Sequence, residues 1–89
     1  MTMTQPTLFE FPCDFPLKVM GRRSDEFRAL VMEIVERHVG SLDPARVQQR
    51  ASKDGNYLSV TCTLRAESKE QLDELYRELT ACAQVLYVL

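Results

Sequence analysis

An α+β sandwich is the fold class this sequence predicts, and three observations predict it. Tyr57–Arg65 alternates strictly: Leu58, Val60, Cys62 and Leu64 point one way, and Tyr57, Ser59, Thr61, Thr63 and Arg65 the other. Phe27, Leu30, Val31, Ile34, Val35 and His38 recur at helical spacing, and Leu72, Leu75, Tyr76 and Leu79 do so again. Between two strand-like runs stands Asp54-Gly55, a dipeptide that favours the primed turn of a two-residue hairpin.

Taken in order, residues 1–10 (MTMTQPTLFE) carry no period and contain Pro6, so they read as a loose arm ahead of a single domain over 11–89. Phe9 and Phe11 are placed to pin the end of that arm onto the body. The first strand covers Asp14–Met20, with Phe15, Leu17 and Val19 on one face and Pro16, Lys18 and Met20 on the other. Pro12 and Pro16 have no N–H for a ladder, so regular pairing is expected only after Pro16, and Gly21 is expected to end the strand.

The first helix spans Asp25–Val39, with Ser24 as its N-cap and Asp25 and Glu26 at the positive end of its dipole. Arg37 and His38 suit the negative end, and Gly40 suits the residue just beyond. The second strand, Arg46–Ser52, is weakly apolar and reads as a sheet edge, with Val47 and Ala51 opposed to Gln48 and Arg50. The third is the alternating run already described. The second helix, Lys69–Ala81, opens with a Ser68/Gln71 capping box. The last strand, Gln84–Val88, is almost wholly apolar.

The order is βαββαβ. Right-handed crossovers and one hairpin fold it into a ferredoxin-like four-stranded antiparallel sheet with both helices on one face. The first and third strands fall at its centre.

The 89 residues suffice for one modest core, since a chain of this size buries roughly 64% of its unfolded surface. A net charge of -2 argues against a dedicated nucleic-acid binder. No long apolar run spans a membrane, and no basic start precedes an apolar run as in a signal peptide, so the expected setting is the cytosol. Cys13, Cys62 and Cys82 lie far apart with no ligand spacing, so they read as reduced, mostly buried small hydrophobes, and neither metal nor cofactor is expected.

The stretches FPCDFPLKVMG, VERHVG, SKDGNYLSVTCTLRAESKEQLDELYREL and VLYVL together resemble the YbeD-like family of small uncharacterised bacterial proteins, over Phe9 to Leu89. The resemblance implies a fold similar to the regulatory domain of phosphoglycerate dehydrogenase, that is, ACT-like. It implies no enzyme activity and carries no catalytic residues. The family's closeness in genomes to lipoate-pathway genes implies a regulatory link.

Two candidate sites follow. In ACT-like domains the connection from first strand to first helix often binds a small effector. Here Gly21 would let a ligand approach the backbone, Arg22 and Arg23 would clamp an anion, and Ser24 stands at the helix start. The competing reading is a plain turn with both arginines in water. The second site is the open sheet face, carrying Lys18, Met20, Gln48, Arg50, Tyr57, Ser59, Thr61 and Thr63. It offers one aromatic where RNA-recognition domains stack bases on two or three, so a protein partner or a second copy of the chain is the expected occupant. His38 reads as a helix-terminal residue without an evident acid partner, and Glu70, Glu74 and Glu78 as a solvated helix face. The resulting expectation is a non-catalytic regulatory or adaptor domain with a protein partner and a small anionic effector. The alternative is a pure interaction or dimerisation module. An RNA-binding domain ranks below both.

Overall fold

A computed structural model describes residues 10–89, so the N-terminal arm and Phe9 lie outside the described residues apart from Glu10. The elements are β1 (Cys13–Arg22), α1 (Phe27–Val39), a 3-10 turn (Pro44–Arg46), β2 (Val47–Ala51), β3 (Tyr57–Ala66), α2 (Lys69–Ala81) and β4 (Val85–Val88). All strand pairs are antiparallel, in the order β2-β3-β1-β4, so the sheet is the ferredoxin-like one and β1 and β3 are central.

The core sits between the sheet and the helix layer. Leu17, Val19, Val60, Cys62 and Leu64 meet Phe27, Val31, Val35, Leu75 and Leu79, all fully buried. Burying each large apolar side chain contributes roughly 1.5–3 kcal/mol, so this shared layer, rather than helix propensity, holds α1 and α2 in place.

β1 departs from the sequence reading in two ways. Gly21 does not end it, since the ladder continues through Gly21↔Leu58 and Arg22↔Tyr57. Gly21 is buried, and a Cβ there would overlap the Phe27 ring and the carbonyl oxygen of Gln84, so the glycine is there for close packing. Pairing also begins before Pro16, at Cys13↔Ala66. The reason is directional. Lys18 donates its N–H to Leu89 (3.1 Å), on the β4 side. With a strand period of two, the N–H that Pro16 lacks falls on that same side, away from β3.

α1 starts later than expected. Ser24 is not its N-cap. Glu26 holds that position without a side-chain bond, and the Ser24 carbonyl accepts from Phe27 N (3.3 Å) in a preceding turn. At the other end Gly40 adopts φ 83° and donates to the Glu36 carbonyl.

Arg46 and Ser52 both fall outside β2. Pro44–Arg46 form the 3-10 turn, capped by Asp43 accepting from Ala45 N (2.9 Å). The β2–β3 hairpin loop spans residues 52–56 rather than two. Asp54 accepts there from Ser52 Oγ (2.7 Å) and Asn56 N (3.1 Å), and Gly55 takes φ 79°.

α2 opens as the capping pattern predicts on the Ser68 side, whose hydroxyl accepts from Gln71 N (3.1 Å). The Gln71 side chain reaches one residue further back, accepting from Glu67 N (2.8 Å), while its Nε2 donates to the His38 carbonyl (2.9 Å). One glutamine thus joins the start of α2 to the end of α1.

Candidate interaction face on the open sheet

The face of the sheet turned away from the helices is assembled by register. β1 and β3 align Lys18 with Thr61, Met20 with Ser59 and Arg22 with Tyr57, and β2 adds Gln48 beside Thr61 and Arg50 beside Ser59. β4 adds Tyr87 opposite Met20, and Leu89, which exchanges backbone hydrogen bonds with Lys18. The register then shifts, so that Gly21 faces Val85 and Leu86 is the extra residue of a β-bulge. This bulge lets Tyr87 stand on the open face while Val85 enters the core.

Charge is segregated across the two layers. The strands carry Lys18, Arg22, Arg50 and Arg65 against one carboxylate, Asp14, in a chain whose net charge is -2. The strand register puts all five on the open face. Asp14 is shared by Arg46 and Arg65, each at 3.6 Å. Among the described residues Lys18, Arg22 and Arg50 have no ion-pair partner. α2 instead carries Glu70, Asp73, Glu74 and Glu78 against Lys69 and Arg77.

Five of the eight residues expected on this face meet in one basin. Lys18, Gln48, Arg50, Ser59 and Thr61, with Gln49, line a cavity of about 240 Å³. Its floor is polar. Ser59 is buried, at 6% exposed, between its cross-strand neighbours Met20 and Arg50, and its hydroxyl donates to the Arg50 carbonyl (3.4 Å). Met20 belongs instead with Tyr87 in an apolar margin. Tyr57 lines a separate recess with Ser52, Lys53 and Asp54, and Thr63 another with Asp14, Arg46 and Arg65.

The connection from β1 to α1 is divided. Gly21 is covered by Phe27 and Gln84. Arg23 turns toward the hairpin loop, donating its N–H to the Asn56 carbonyl (3.0 Å), with its guanidinium near Gly55. Arg22 and Ser24 remain together in a cavity of about 280 Å³ with Ala83, Gln84 and Leu86.

His38 does have an acid partner. Its Nε2 lies 2.7 Å from Glu78 Oε1, and Arg37 engages the other Glu78 oxygen. The His38 hydrogen bond, with Arg37 beside it, holds the Glu78 carboxyl below its ordinary range. Glu78 is therefore a clasp between α1 and α2, while Glu70 and Glu74 stay exposed. Cys62 is buried, and burial pushes its thiol up to about 11; Cys13 and Cys82 are only half-buried, and all three are free. Among the described residues no group of three or more His, Cys, Asp or Glu is placed to hold a metal, and no helix is long and apolar enough to cross a membrane.

Sequence reasoning missed Tyr87, Leu89 and Arg22 as open-face residues. An unbroken apolar run does not reveal its facing, and nothing local marks the Leu86 bulge.

Comparison with known proteins agrees with this architecture. The family model described as "Protein of unknown function (DUF493)" matches residues 6–89. A UPF0250 protein of Paraburkholderia phytofirmans is 45% identical over 89 residues, covering all of both chains. One from Bordetella pertussis is 48% identical over 85 residues, covering 96% of this chain and 93% of its own. The solution structure of protein HP0495 from H. pylori superposes with a TM-score of 0.67 at 14% identity, covering 99% of this chain and 98% of that one, a likeness of fold.

Proposed function

Since the chain belongs to the DUF493 family, the YbeD-like family of uncharacterised bacterial proteins, we propose that it is a non-catalytic adaptor or regulatory domain that binds a protein partner through the open face of its sheet. The observation that carries this reading is the uncovered face itself, where a polar basin adjoins an apolar margin. Tyr87 is 47% and Leu89 63% exposed beside half-buried Met20. Mixed polar and apolar surface of this kind is typical of non-obligate interfaces. A cytosolic setting belongs to the same reading, since Cys13, Cys62 and Cys82 are all unpaired.

The test is photocrosslinking in living cells, with a benzophenone side chain placed either at Thr61 on the open face or at exposed Glu74 on α2. The expected result is a discrete adduct from Thr61 and none from Glu74. Its mass then identifies the occupant as a different protein or a second copy of the chain. Equal adducts from both positions, or none from Thr61, would overturn the reading.

A second reading adds a small anionic effector beside the β1–α1 connection, favoured by the cavity that Arg22 and Ser24 share with Gln84. A thermal-shift screen with small carboxylates and phosphates tests it. A ligand held at about 100 times its dissociation constant adds about 2.7 kcal/mol, and Arg22→Ala should abolish the shift.

A further inference from the structure

We propose that the basin between Lys18 and Arg50 seats carboxylates of an acidic segment of a protein partner. This inference rests on the open-face reading above and gives that face its recognition chemistry.

Three observations carry it. First, the chain concentrates positive charge where no partner of its own neutralises it. The strands hold four cations and one carboxylate, and Asp14 is spent on Arg46 and Arg65. Lys18 and Arg50 remain, with no ion pair among the described residues, while α2 on the opposite layer has two more carboxylates than cations. Such a field steers an acidic segment to the sheet and away from the helices.

Second, the two cations converge. β3 separates β1 from β2, so their backbones stand roughly 10 Å apart. Both long side chains nevertheless border the same cavity of about 240 Å³. Carboxylates two residues apart on an extended segment are spaced by roughly 7 Å, a span this basin accommodates. Thr61, whose hydroxyl has no protein partner among the described residues, and Gln48 supply further donors at its floor.

Third, the apolar margin of Met20, Tyr87 and Leu89 adjoins the basin across β1. A protein segment offers side chains to cover it and a phosphate backbone does not. The centre of the face carries Ser59, Thr61 and Thr63, and its tyrosines sit at one end of β3 and on the edge strand β4, so the stacking platform for bases is missing.

The test is fluorescence anisotropy of the full chain with a labelled peptide of Glu-Gly-Glu-Leu repeats, which sets its carboxylates two residues apart. Its Gln-Gly-Gln-Leu counterpart and a single-stranded oligouridylate of matched charge are the comparisons. The Glu peptide should bind, and weaken by about tenfold or more in Lys18→Glu/Arg50→Glu and in the Gln counterpart. Lys69→Glu/Arg77→Glu, the same charge change on α2, should alter binding by less than about twofold. If the charge-reversed variant fails to fold by circular dichroism, Lys18→Gln/Arg50→Gln is read instead and should show the same loss in smaller degree. No binding of the Glu peptide, equal binding by the variants, equal binding of the Gln peptide, or tighter binding of the oligouridylate would each overturn the proposal. A Thr61 crosslink in cells without Glu-peptide binding would sink the acidic partner and leave the open-face reading standing.

Discussion

The Phe27 ring occupies the space that a side chain at Gly21 would need. The first residue of α1 thereby locks onto the C-terminal end of β1, with the Gln84 carbonyl closing the same spot from the chain leading into β4. Gly21→Ala should therefore destabilise the fold by about 1–3 kcal/mol, the usual cost of overpacking a tight core. Urea unfolding measures it. A neutral substitution would mean the ring and the β4 approach shift freely.

Glu78 ties α2 to the end of α1. Its carboxyl is depressed by the His38 hydrogen bond and by Arg37, so its folded-state pKa lies below the unfolded one. The contribution is fully present above the ordinary carboxylate range and is lost as pH falls through the depressed value. Glu78→Gln should thus lower the melting temperature at neutral pH, and the gap to wild type should close in acid. A gap independent of pH would assign the effect to packing.

Cys62 should resist alkylation. With its thiol pushed up to about 11, only about one molecule in a thousand is ionised at pH about 8, and the side chain is buried as well. Iodoacetamide followed by mass spectrometry should label Cys13 and Cys82 in the native protein and Cys62 only in denaturant. Early labelling of Cys62 would reveal an opening of the sheet–helix layer.

Gln71 bridges Glu67 N and the His38 carbonyl. Gln71→Ala leaves both without that partner and should cost about 1–2 kcal/mol, read from the urea midpoint. Ser68→Ala, which removes the cap alone, should cost about 1 kcal/mol.

Lys18→Gln/Arg50→Gln should leave stability within about 0.5 kcal/mol, because neither cation has an ion-pair partner among the described residues. A larger loss in urea unfolding would give these residues a packing role and remove the simplest reason for their position.

Much of this architecture is legible in sequence, and the residues show why. β3 alternates because one of its faces is buried against Phe27, Val31 and Leu75, and both helices repeat their apolar residues because each packs on one side only. What stays hidden is set by contacts between distant residues. Gly21 reads as a strand end because a glycine marks a turn and a close ring contact equally well. The His38–Glu78 pair spans 40 residues, and no local pattern announces it. The open-face residues of β1 and β3 follow from alternation, but the closeness of Lys18 to Arg50 emerges only when the register sets the row Lys18, Thr61 and Gln48 beside the row Met20, Ser59 and Arg50.

Pro16 has a consequence for how this protein behaves in a crowded solution. Among the described residues β4 pairs with β1 only as far as Lys18, through Leu89. An exposed strand edge is a template for runaway polymerisation. Two residues before Lys18, Pro16 offers no donor toward that side, and Asp14 carries a charge, so a strand recruited there from another copy would meet a gap in its ladder. The same proline that the β1–β3 ladder tolerates without loss acts as a gatekeeper against fibril growth.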